Sequence, residues 1–379
     1  MGSAIRLLFW DNGAGGCALG LGAILEWHQP QVWSVSTMDK VPVEVVPGVY
    51  MFEVPFLPGL GQDDMTGTLC YLIKQQDGWL LVDTGYNHDH PYSAFRRHLD
   101  TLGVPIEDIR WVFVTHYHPD HSGLAGRIRS ASGARVIMHM DDWSIMQYAV
   151  GAGEVWTLDG LVEWAKTLGV PANELGQFYD TASFGRTLFP SGLEPDVVLE
   201  GEENPVGDVG GGLRAILTPG HSPGHVCLYD EERKLLFSGD HVLVGITPHI
   251  SPSHLTSYNQ LGQYLDALRK VRDLEVDMVL PAHQRPFNYL ARRVDEILDH
   301  HRVRLEEMIT ALTDRPMSPW ELAPRVTWDV GSWDDMDATN RVLAVRETLA
   351  HVELLESRGR VSAIEDEGLN KFRLCSPGQ

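Results

Sequence analysis

His116, His118, Asp120 and His121 stand within six residues of one another in "WVFVTHYHPDHSGLAG" (111–126), directly after an apolar, β-branched run. In an extended chain residues i and i+2 project to the same side, so His116 and His118 can grip one metal ion together. Asp120 and His121 lie past Pro119, where the chain turns into a helix, and from there they can face a second ion. Imidazole nitrogen and carboxylate oxygen suit zinc, and the same donors accept manganese or iron. A chance HxHxDH run is expected in on the order of one such chain in several hundred. A polar loop that happens to collect histidines is therefore the poorer explanation.

A tight site needs more donors, and a pair of ions needs a carboxylate between them. Such donors occur where other apolar runs end: His221 and His225 in "TPGHSPGH", Asp240 in "LLFSGDH" and His283 in "MVLPAH". HxHxDH, then TPGH, then GD, then AH, in this order between Val41 and Arg285, resembles the metallo-β-lactamase superfamily. The resemblance implies an α/β fold, the αββα sandwich, with two Zn²⁺ ions as the expected cofactor. It implies that His116, His118 and His221 hold one ion, that Asp120, His121 and His283 hold the other, and that Asp240 bridges them. Asp83 in "LLVDTG" matches an acidic position that orients a ligating imidazole. His225 matches a supporting histidine that is not itself a ligand.

Two such cations about 3.5–4 Å apart supply hydroxide at neutral pH for attack on a carbonyl carbon. Asp120 is the candidate catalytic residue, placed to orient the nucleophile and carry its proton to the leaving group. "GHSPG" (220–224) also spells GxSxG, but there the residue after the serine must donate a backbone N–H, and Pro223 has none. His241 and His249 are candidates to face a substrate. His88, His90, His98 and His139 read as surface or packing histidines.

Within the superfamily, the glyoxalase II and LACTB-like branch fits the ester and thioester chemistry expected here. A mononuclear iron persulfide dioxygenase resembles the same motif set, though Asp120, His121 and His283 together favour two ions. Acyl-homoserine lactonases carry a tyrosine three residues after the bridging aspartate, a place held here by Leu243. LACTB-like members include enzymes acting on RNA, against which the charge of this chain argues. Acidic residues outnumber basic ones 52 to 30, a formal charge of −22 that repels phosphate backbones and anionic membranes. The partner expected is a small-molecule substrate, not nucleic acid or a membrane, with pairing into a homodimer open.

The elements that must carry these residues are legible from pattern. "VEVVPGVYMFEVPF" and "GTLCYLIKQQDGWLLVDTG" are β-rich, with a hairpin at Asp77-Gly78. "HPYSAFRRHLDTLGV" is a helix closed by Gly103, "IRWVFVTH" a buried strand, and "ARVIMH" another. Residues 141–196 read as a helical insertion. Its large apolar side chains, Trp143, Met146, Tyr148, Trp156, Trp164, Phe178, Phe184 and Phe189, suggest an apolar substrate arm, with Trp143 and Met146 nearest the site. The β pattern returns in "GGLRAILTPGHSPGHVCLYDEERKLLFSGDHVL", with a hairpin at "DEER", and a metallo-β-lactamase domain over 38–287 is expected. Beyond it, a long amphipathic helix, a short helix opened by Ser318-Pro319, a second long helix and a final β-ribbon predict a winged-helix-like C-terminal domain over 288–379.

Four scattered cysteines, Cys17, Cys70, Cys227 and Cys375, form no CxxC pair and read as reduced thiols of a cytoplasmic protein. The Gly/Ala-rich stretch Ala14–Leu25 lacks the flanks of a signal peptide and is too short to span a bilayer. GxGxxA at Gly13–Ala18 has no strand before it, which weakens a nucleotide role. Residues 1–37 are expected to be a poorly ordered extension, with Met38 an alternative start.

Overall fold

The computed structural model describes residues 41–58, 60, 65–150, 158–176, 179, 188, 193–205, 212–252, 259–329 and 331–375. The N-terminal extension, Trp156, Phe178, Phe184 and Phe189 lie outside the described residues, as does the side chain of Tyr148.

The first sheet has seven strands in sequential order. β1 (Val43–Val46), β2 (Val49–Pro55), β3 (Gly67–Gln75) and β4 (Gly78–Val82) form an antiparallel meander. β5 (Ile109–Phe113), β6 (Arg135–His139) and β7 (Val197–Leu199) then add in parallel. Helices α1 (Asp89–Leu102), α2 (Pro119–Ser122) and α3 (Ala125–Ser132) fall between these strands, and α4 (Met140–Val150) and α5 (Leu158–Thr167) follow β6. The turn at Gln75–Gly78 closes the predicted hairpin, and Gly103 ends α1 in the left-handed conformation.

The second sheet runs β12-β11-β10-β9-β8. Its strands are β8 (Glu203–Pro205), β9 (Leu213–Leu217), β10 (Val226–Asp230), β11 (Leu235–Gly239) and β12 (Met278–Pro281). The "DEER" turn joins β10 to β11 as an antiparallel hairpin, whereas β12 returns parallel to β11 after helix α6 (Gln260–Arg272).

Strand alternation explains the layers. Tyr71, Ile73, Leu80, Val82 and Phe113 point to one side of the first sheet and meet Val226, Leu228, Leu235, Phe237 and Leu280 of the second. Tyr71 and Phe237 touch edge-on with ring centroids 5.3 Å apart. Their neighbours Leu72, Leu81, Val112 and Val114 point the other way, against Phe95 and Leu99 of α1 and Ile128 of α3. On the far side of the second sheet, Cys227, Tyr229 and Leu236 are covered by Tyr264 and Leu268 of α6. The result is the expected αββα sandwich.

The C-terminal region contains α7 (Leu290–Ala311), α8 (Pro319–Leu322), α9 (Ala338–Ser357) and the hairpin β13 (Val361–Asp366) with β14 (Leu369–Leu374). Ser318 and Glu321 close a reciprocal capping box on α8. These elements share one continuous apolar cluster with α5, α6 and the second sheet, running from Ala165 through Tyr264 and Ile297 to Val352 and Phe372. Among the described residues, no helix is long and apolar enough to cross a membrane.

Candidate metal centre

All seven predicted ligands sit just beyond strand ends and converge. β5 leads into Thr115 and His116, β9 into the loop with His221, β11 into Asp240, and β12 into His283. His118 Nδ1 lies 2.9 Å from His116 Nε2 and 2.9 Å from His221 Nε2, so three imidazole nitrogens meet at one point. On the other side, Asp120 Oδ2 lies 3.3 Å from His121 Nε2 and 3.5 Å from His283 Nε2. Asp240 stands between the groups. Its Oδ1 is 3.3 Å from His283 Nε2 and 3.6 Å from His121 Nε2, whereas its Oδ2 is 3.4 Å from His221 Nε2.

The ring nitrogens facing away are held in place. His121 Nδ1 donates to Asp83 Oδ2 at 2.9 Å, His283 Nδ1 to the Gly67 carbonyl at 2.9 Å, and His221 Nδ1 to the His249 carbonyl at 2.9 Å. His116 Nδ1 is 3.1 Å from Thr115 Oγ1, which itself donates to Asp83. Asp83 therefore orients imidazoles of both groups from a strained backbone position with φ of 57°. His225 plays a supporting part, because its Nε2 accepts the Asp240 amide at 3.2 Å while Nδ1 meets Thr218 Oγ1. This packing demands glycine before Asp240. A Cβ on Gly239, where φ is 49°, would lie 2.7 Å from His225 Nε2.

The electrostatics suit cation binding. Burial alone would raise the pKa of Asp240, but the imidazoles of His283 and His121 outweigh it and hold the carboxyl well below its ordinary value. Asp120, with the same balance led by His121, is held down at about 2. Burial keeps His116 and His118 neutral, with pKa values well below the usual imidazole range. His121 Nε2 and Asp240 Oδ1 are buried with no hydrogen-bond partner. Two carboxylates and five imidazoles with their ligand atoms crowded together are a donor set that fits divalent ions.

Asp142, at the start of α4, was not singled out by the motif reading. Its Oδ2 accepts from the Tyr117 amide at 2.9 Å and from Ser222 Oγ at 2.7 Å, and its Oδ1 accepts from the Gly224 amide. It thus ties the loop of His116 and His118 to the loop of His221. Burial, opposed by these bonds, pushes its carboxyl up to about 6. Ser222 is buried, and its hydroxyl serves the tie to Asp142.

Of the residues proposed to face substrate, His249 lies at the edge of the centre through its carbonyl. His241 is fully buried behind His225, ring centroids 5.9 Å apart, and burial lowers its pKa to about 3. Met146 is buried in the core beneath the first sheet and Trp143 packs against that core, while Trp164 packs on the cluster over the second sheet. Phe56 and Tyr86, which carry no motif, are closer to the donors: the Phe56 ring meets His283 and Tyr86 edge-on, both at 5.6 Å. His98 is a packing residue stacked on Phe52, and His88 caps α1.

A sequence model of the metallo-beta-lactamase superfamily matches residues 64–283. The chain belongs to that superfamily. Membership in the metallo-beta-lactamase superfamily brings a hydrolase-type function and typically a dinuclear metal centre, for which the clusters above supply the donors. The chain is similar to a probable metallo-hydrolase, YqjP, of Bacillus subtilis, 22% identical over 312 residues covering 78% of this chain and 89% of that one. It is also similar to the lactamase-like protein nscB of Trichophyton verrucosum, 39% identical over 260 residues, 66% of this chain and 70% of the other. Among solved structures, a metallo-beta-lactamase family protein from Thermus thermophilus superposes with a TM-score of 0.72 at 27% identity, covering 87% of this chain and 99% of its own. A beta-lactamase domain protein from Burkholderia ambifaria gives 0.70 at 26% identity, covering 88% and 95%.

Proposed function

We propose that the protein hydrolyses an ester or thioester of a small molecule with an apolar acyl group, using a dinuclear centre held by His116, His118, His221, Asp120, His121, His283 and Asp240. The observation that carries this reading is the Asp240 carboxylate, whose two oxygens face two different donor groups. Zinc is the ion proposed. When bound, a pair of divalent ions supplies Lewis acidity to a carbonyl oxygen and lowers the pKa of water to about 7.

The chain's own residues do the rest. Asp120, ionised and flanked by His121 and His283, orients the attacking water and relays its proton toward the leaving group. Asp83 and the Gly67 and His249 carbonyls fix the imidazoles, so little reorganisation is needed during reaction. Phe56 and Tyr86 supply an apolar wall beside His283 for an acyl chain. The acidic charge of −22 supports a small-molecule substrate over a polyanion.

Metal-quantified protein tested against acyl-CoA thioesters, glutathione thioesters, lactones and an RNA oligomer decides the matter. The expected result is two zinc ions per chain with fastest turnover of an acyl thioester or ester. One iron per chain with oxygen consumption on a persulfide, or cleavage of the RNA, would overturn the proposal.

A further inference from the structure

One cluster of buried charges outside the metal centre lies beside the loop that follows Asp240. Glu347 of α9 is 8% exposed and forms a short ion pair with Arg304 of α7, itself 4% exposed. Its other oxygen, Oε2, lies 3.3 Å from His249 Nδ1. His249 is the residue whose carbonyl accepts from the metal-facing His221. The same loop, from Asp240 to Ile250, is held at three more points. Arg293 of α7 donates to the Leu243 carbonyl at 2.7 Å and to the Ile246 carbonyl at 2.8 Å, and Tyr264 of α6 donates to the His241 carbonyl at 2.9 Å.

We infer that the C-terminal helices are a working part of the metal centre, in which Glu347, fixed by Arg304, is a positioning residue that sets His249 and through its carbonyl the imidazole of His221. Arg304 is anchored in turn, its guanidinium stacked 4.4 Å over Trp328 and bonded to the Thr327 carbonyl. His351 Nδ1 donates to the Glu347 carbonyl at 2.8 Å, and His301 Nδ1 sits 3.1 Å from His351 Nε2, which stiffens the turn carrying the carboxylate. The outer nitrogen of a ligating imidazole decides its tautomer and its aim, so loosening the acceptor loosens the ligand.

His301, Glu347 and His351 have ligand atoms close enough to hold an ion themselves. The guanidinium on Glu347 argues for a brace instead. It neutralises the carboxylate that an ion would need, and one proton ordering satisfies the contact between the two imidazoles and the bond from His351 to the helix backbone.

The inference rests on the proposal that His221 holds a metal, and the test separates the two. Full-length protein is loaded with Co²⁺, and its affinity is measured by chelator competition together with the visible absorption of the bound ions. Wild type, Glu347→Gln, His249→Ala and the double variant are compared. His249→Ala keeps the backbone carbonyl and leaves the α7–α9 packing untouched, so it remains informative if Glu347→Gln folds poorly. The expected result is two ions in wild type, one of them bound about 10–100-fold more weakly in each single variant with an altered spectrum, and no further loss in the double variant. Unchanged affinities and spectra, or losses that multiply in the double variant, would overturn the brace while leaving the metal centre standing. A third ion in wild type that His351→Ala removes would overturn it also. Wild type that holds no ion would overturn both proposals.

Discussion

Two buried polar clusters lie on either side of the loop from Asp240 to Ile250, and they are built oppositely. At the metal centre two carboxylates meet five imidazoles, and His121 Nε2 and Asp240 Oδ1 make no hydrogen bond, only ion-pair contacts at 3.3 to 3.6 Å. At the C-terminal cluster the one carboxylate, Glu347, is matched by Arg304 and His249. His249 Nε2 and His301 Nε2 make no hydrogen bond there, but both carboxylate oxygens of Glu347 are matched. Burying unpaired acceptors is costly, and folds keep such an arrangement where something else completes it. The first cluster is therefore shaped for an ion, and the second holds one protein element against another.

Substitutions can break this contrast. The largest effect is expected for Asp240→Ala, which removes the carboxylate whose two oxygens face the two donor sets. Turnover should fall by at least about 1000-fold, on the order of 4 kcal/mol of transition-state stabilisation, with loss of bound metal and little change in the thermal unfolding of metal-free protein. Arg304→Met should act first on stability. It leaves a buried carboxylate uncompensated at a cost of about 3–5 kcal/mol, seen as a lower midpoint in denaturant. Asp142→Asn retains shape but cannot accept from all three donors of the two ligand loops, so a loss of about 1–3 kcal/mol in the same measurement is expected.

The smallest effect sharpens the contrast by pH. Glu353 of α9 has its pKa pushed up to about 7 by burial and by Glu356. The folded state therefore binds a proton that the unfolded chain releases near 4.5, and stability contributed by the protonated form is lost as pH rises between these values. Glu353→Gln should flatten the decline in unfolding free energy from pH 5 to about 7.5 without changing metal content. A slope identical to wild type would remove Glu353 from the account.

What the sequence disclosed follows from range. The convergence of the seven candidate donors was legible because they follow apolar runs in short motifs, and strand ends are where a layered sheet gathers them. The sandwich was legible because residues such as Leu72 and Ile73 alternate between faces. Asp142 was not, since its partners Ser222 and Gly224 are about eighty residues away and nothing local in "VIMHMDD" marks it. Glu347 was equally hidden, 98 residues from His249 on a helix that reads as ordinary. Periodicity also shows that α7 has an apolar face without saying what covers it, and α9 carries no such stripe because it is buried on several sides. In the fold that face joins the core of the second sheet, and the helices reach the site. Trp143 and Met146 have side chains suited to pocket or core, and their surroundings in the structure are core.

The two-sided placement of Asp240 is the feature that joins the two donor groups. Anomalous X-ray diffraction from zinc-loaded crystals tests it most directly. Two peaks about 3.5–4 Å apart are predicted, one beside each oxygen of the Asp240 carboxylate, with none between His301 and His351. A single peak bound away from Asp240, or no peak at the seven converging side chains, would contradict it.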